Sequence, residues 1–147
     1  MAVEEWRGGR DLLGALLDET LQIACRTRDL LGEGAPRASD PLPVLAELER
    51  AARIGRIATR VSACMAWLLA RRAVAVGELT PEQARREDWR LLRLEGAFWE
   101  EEPEAGEEAA LAGLVRRAEQ LYARVQRLDR GLDRDGAPAI VGPDQEA

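Results

Sequence analysis

The chain has 147 residues and a net charge of −6, with 46% hydrophobic and 33% charged residues. This is the composition of a single globular helical domain with a core of its own, not of a disordered chain. All 21 basic residues are arginine and histidine is absent, which excludes Ser-His, Cys-His and two-histidine metal sites. The acidic balance also lacks the basic footprint of a broad nucleic-acid binder.

Residues 1–10 open with charges near Trp6 and read as a flexible N-terminus, without the pattern of a signal peptide. A first helix is expected over 11–31. Leu12, Leu13, Leu16, Thr20, Ile23, Thr27, Leu30 and Leu31 recur at spacings of three and four, and Gly32, Gly34 and Pro36 end the pattern.

A second, longer helix is expected over 41–76. Asp40 is a natural N-cap, Pro41 suits the first helical position, and Gly77 is the stop. At 100° per residue this helix has three faces. Leu48, Ala51, Ala52, Gly55, Ala58, Thr59, Ser62, Ala66, Leu69 and Ala73 form a small-residue face that reads as the bundle interior. Ile54, Ile57, Val61, Met65 and Leu68 form a bulky face. Two apolar faces exceed the width of one core-facing stripe, so the bulky one is assigned to a homodimer interface. Arg53, Arg56, Arg60 and Arg71 form a cationic ridge with Trp67 in line. Such a ridge is ordinarily a solvated, salt-bridged face. Arginine and tryptophan are also interface anchors, which makes these five the candidate interaction residues.

Thr80-Pro81-Glu82-Gln83 carries the signature of a capping box with proline at the first helical position. A third, shorter helix is expected from there, with Ala84, Leu91, Leu94 and Phe98 on one face and Trp89, Leu92 and Trp99 beside it. The run from Glu100 to Gly106 reads as an acidic linker. A fourth helix is expected over 107–130 on Leu111, Leu114, Ala118, Leu121, Val125 and Leu128. Residues 131–147 read as a flexible acidic tail.

These elements make an all-α antiparallel bundle over 11–130, with three long helices and one short one. Cys25 and Cys64 form no CxxC motif and read as buried thiols of a reducing compartment. The longest apolar run falls far short of the ~20 residues that span a bilayer, so a cytoplasmic protein is expected. Paired acids such as Glu107-Glu108 read as surface chemistry, so neither catalytic nor metal residues are assigned and no cofactor is expected.

The stretch ARIGRIATRVSACMAWLLARRAVAVGELTPEQARRE, followed by RLLRL, resembles the RcdA family, the regulators of CtrA degradation in bacterial cell-cycle control. The matching elements are Arg56 to Arg60, Trp67-Leu68-Leu69, Arg72-Ala73-Val74, Gly77-Glu78 and Glu82-Gln83-Ala84, with Arg124-Val125-Gln126-Arg127-Leu128-Asp129 near the end. The resemblance spans Leu12 to Asp129. It implies a helical homodimer and a non-enzymatic adaptor that helps deliver cell-cycle regulators to the ClpXP protease. CpdR-like and PopA-like regulators and CtrA-like substrates are the implied partners, and recruitment to a cell pole follows by analogy. Trp67, Arg71, Arg72 and Glu78 are the signature positions it marks. The alternative is a dimeric helical scaffold that binds a signalling regulator with no role in proteolysis.

Overall fold

A computed structural model describes residues 2–33, 44–94 and 107–135. Its elements are α1 (Ala2–Glu33), α2 (Val44–Ala75), α3 (Pro81–Ala84), a 3-10 turn (Glu87–Trp89) and α4 (Glu107–Asp135), with no strand among the described residues. The chain is thus an all-α bundle of three long helices and one short one. Two of the long helices exceed their expected bounds: α1 begins at Ala2 rather than near 11, and α4 continues to Asp135. The proposed cap at Asp40 and Pro41 and the acidic linker lie outside the described residues.

Cross-helix contacts fix the directions. Arg50, near the start of α2, donates to the Leu30 carbonyl near the end of α1 at 2.8 Å, so these two helices form a hairpin. From α2 to α4, Arg60 pairs with Glu119 and Trp67 with Asp129, so these two helices advance in the same direction. A parallel neighbour requires the chain to travel back along the bundle first. Residues 76–94 begin that return.

α2 ends in a Schellman turn. Gly77 has φ of +80°, its amide donates to Val74 and the Glu78 amide donates to Ala73. Only glycine takes this left-handed position without strain, and the two bonds satisfy carbonyls the helix end would leave orphaned. The capping box at α3 forms as the sequence predicts: the Gln83 amide donates to Thr80 Oγ1 at 3.1 Å, and the Thr80 amide donates to Gln83 Oε1 at 3.0 Å. The expected longer helix does not follow. α3 stops at Ala84, and after the 3-10 turn the backbone at Arg90 is extended. Of its expected face, Ala84 is buried at the end of α3, while Leu91 is buried and Leu94 half-buried on a strap rather than a helix. Phe98 and Trp99 lie outside the described residues.

The core sits between α1, α2 and α4. It holds Leu16 and Ile23 from α1, Ile54, Ile57, Val61, Cys64, Trp67 and Leu68 from α2, and Leu111, Leu114, Ala118, Leu121 and Val125 from α4. Thr20 and Thr27 are buried on α1, and each hydroxyl donates to the carbonyl four residues back, at 2.6 and 2.7 Å. That local bond removes the penalty of an unpaired buried hydroxyl. Leu12 and Leu31, at the ends of the predicted α1 stripe, are exposed.

The structure reverses two sequence assignments on α2. Ile54, Ile57, Val61 and Leu68, taken as a dimer face, are buried within the single chain, and Met65 is half-buried beside them. The small-residue face taken as the interior is the exposed one: Leu48, Ala51, Ala52, Gly55, Ala58, Thr59, Ser62, Ala66 and Leu69 all face solvent, with Ala73 half-buried. The physical reason is area. Burying a leucine or isoleucine removes far more apolar surface from water than burying alanine or serine, so the bulky face takes the core.

Candidate functional site

Two features of the α2 surface stand out: a polar clasp that straps residues 84–94 to the bundle, and the groove between that strap and the small-residue face. The clasp centres on Asp129 of α4. Its Oδ1 accepts from Trp67 Nε1 at 2.8 Å, Arg90 Nε at 2.8 Å and the Leu91 amide at 3.2 Å. Arg90 also donates to the Asp129 carbonyl and to both oxygens of Asp133, one turn on. Further along, the Tyr122 hydroxyl donates to the Leu92 carbonyl and accepts from the Leu94 amide. These bonds satisfy a backbone that has left helical geometry, and they explain why it could leave.

The electrostatics follow from the contacts. Burial pushes the Asp129 carboxyl up, but hydrogen bonds from Arg90, Trp67 and the Leu91 amide outweigh it and hold the group below its usual value. The hydrogen bond from Arg90 lowers Asp133 too. Arg90 is raised by its hydrogen bonds to Asp133 and Asp129. Arg71 is lowered chiefly by burial; it lies over the Trp67 ring at 5.1 Å and donates to the carbonyls of Ala84 and Trp89.

The arginine ridge is therefore not one solvated strip. Arg60 is buried, paired with Glu119 and stacked 5.6 Å from the Tyr122 ring. Trp67 is 4% exposed, so it is a core residue with a polar handle rather than an apolar anchor on the surface. Arg53, Arg56 and Arg71 are half-buried. The signature positions divide: Trp67 and Arg71 hold the strap, Arg72 is exposed, and Glu78 sits in the turn after α2. The roles of Asp129 and Tyr122 were not visible in the sequence, because their partners are 28 to 62 residues away.

The groove measures 1190 Å³. One wall is Ala58, Thr59, Ser62 and Ala66 of α2, and the other is the strap from Arg85 to Arg93, with Asp129 and Asp133 at its end. Exposed Leu48 and Leu69 on the α2 face, and Leu92 and Trp89 on the strap, add apolar surface nearby. Small side chains let another backbone approach a helix closely. Among the described residues no group of three or more acidic or cysteine side chains is placed to hold a metal ion, and no helix is long and apolar enough to cross a membrane.

No curated protein and no solved structure matches the chain. One family does, described as "Protein of unknown function (DUF1465)", and its match covers residues 9–144. That span takes in the bundle, the strap and the clasp, and it places the chain in the DUF1465 family.

Proposed function

We propose that the chain is a non-enzymatic, homodimeric adaptor that helps deliver cell-cycle regulators to the ClpXP protease. The observation that carries the protein-binding part is the exposed α2 face, bordered by the groove and by Leu48 and Leu69, on a helix whose Ile54, Ile57, Val61 and Leu68 are already buried. The resemblance of residues 52–87 to the RcdA family supplies the protease, the CpdR-like and PopA-like regulators and the CtrA-like substrates. Recruitment to a cell pole follows from the same resemblance by analogy. An adaptor needs no chemistry of its own: holding substrate beside the protease raises its effective concentration.

Reconstituted degradation tests the reading. With purified ClpXP, a CpdR-like regulator and a CtrA-like substrate, adding the protein should speed substrate loss several-fold, and Ser62→Arg in the exposed face should abolish the gain without unfolding the bundle. No change in turnover, together with no capture of any protease component, would sink the adaptor reading. Capture of a regulator alone would favour the scaffold reading instead.

A further inference from the structure

We infer that the exposed face of α2 pairs with the same face of a second copy, antiparallel, about a two-fold axis between Ala58 and Thr59. The inference rests on the homodimer within the function proposed above and assigns its surface and register. Three observations lead to it. First, the face is its own mirror in sequence. Reflected about that point, Leu48 meets Leu69, Ala51 meets Ala66, Gly55 meets Ser62 and Ala58 meets Thr59, and all eight are exposed. An isologous contact requires this kind of self-complementarity. Leucines close the two ends, and small residues fill the middle where two helices approach most closely.

Second, the charges fit the same register. Glu47 and Arg72 are exposed and have no ion pair among the described residues. At 100° per residue they project within about 20° of one another, on one flank of the face. A two-fold axis brings that flank of each copy to the same side. Glu47 of one copy then lies about 3 Å along the axis from Arg72 of the other, which forms an ion pair at each end. A parallel two-fold pairing would put the charged flanks of the two copies on opposite sides, and neither ion pair would form. Third, the groove beside Ala58, Thr59, Ser62 and Ala66 is open, so the strap leaves room at the axis for an incoming helix.

Thiol cross-linking in a Cys25→Ser background, with buried Cys64 retained, tests both surface and register. Leu48 and Leu69 are 21 positions apart, or about 32 Å along the helix. A mixture of Leu48→Cys and Leu69→Cys chains should be joined by a short bifunctional thiol reagent, and Leu48→Cys alone should not. Ala58→Cys alone should be joined. In sedimentation, Glu47→Arg should weaken dimerisation about tenfold, and adding Arg72→Glu should restore most of it. A chain that stays monomeric at tens of micromolar, or Leu48→Cys that cross-links to itself, would overturn the inference. A dimer that ignores the charge swap would overturn the register. The degradation assay is a separate readout: these cross-links in a protein with no effect on turnover would leave the pairing standing and remove the adaptor reading.

Discussion

α2 carries two faces interleaved along the same turns. Ile54, Ile57, Val61 and Leu68 look into the bundle, while Gly55, Ala58, Ser62 and Ala66 look out. Both are apolar enough to pass for a core when only periodicity is considered. Side-chain size decides between them, because a core gains stability in proportion to the apolar area it buries. The larger residues therefore serve the single chain, and the smaller ones remain available to something that must come close. Neighbouring leucines give the sharpest contrast: Leu68 is fully buried and Leu69 is 49% exposed.

That contrast predicts the largest effect. Leu68→Ala should lower monomer stability by about 2–5 kcal/mol, the usual cost of such a cavity. Leu69→Ala should change it by about 0.5 kcal/mol or less, as at other exposed sites. Urea denaturation under dilute conditions measures both. Similar losses at the two positions would break the distinction between the faces.

The clasp comes next, because it defines the edge of the outer face. Asp129→Ala leaves Trp67 Nε1, the Arg90 guanidinium and the Leu91 amide without their shared acceptor. Removing one partner of a largely buried charged network should cost about 2–3 kcal/mol. Amide exchange should then quicken in residues 84–94 well before the centres of α1 and α4 respond. Uniform loss of protection across all three helices would mean that the strap is part of the core and not a separate layer over it.

Acid should act on the same layer. Asp129 and Asp133 are both held below their usual values in the folded chain. A carboxyl depressed by folding contributes stability that is present above its unfolded value of about 3.9 and is lost as pH falls through the lower folded value. The strap should therefore stay latched at neutral pH and loosen only below about pH 4. Asp129→Asn should flatten that acid limb, as followed by near-ultraviolet circular dichroism of Trp67.

Much of the architecture was legible in local signals. The α4 stripe from Leu111 to Val125, the stop at Gly77 and the capping box at Thr80 are short-range patterns, and each stands where the pattern put it. What escaped the sequence depends on distant partners. Leu91 and Leu94 continue the helical spacing of Ala84, yet their backbone is not helical because Asp129 and Tyr122 offer it other hydrogen bonds. Arg60 reads as a surface cation until Glu119 and Tyr122 arrive from α4 to cover it. The exposed face is visible in the sequence as a stripe, but periodicity locates a stripe without ranking it by area, so it does not say which of the two faces takes the core.

The two cysteines give the smallest perturbation of the same contrast. Cys64 lies on the inner side of α2 and is fully buried, whereas Cys25 on α1 is exposed, against the expectation that both would be covered. Burial pushes the Cys64 thiol up to about 12; Arg60 opposes the shift and Glu119 adds to it. The folded state thus favours the neutral thiol. That preference is complete below the unfolded value near 9 and is lost as pH rises towards about 12. At pH 8 a thiolate-selective reagent should consume one equivalent in the native protein, at Cys25, and two after denaturation. Labelling of Cys64 then reports opening of the inner face, and its rate should rise in Leu68→Ala and stay unchanged in Leu69→Ala. Fast native labelling of Cys64 would show that the inner face opens without global unfolding, and that burial alone does not separate the two sides of α2.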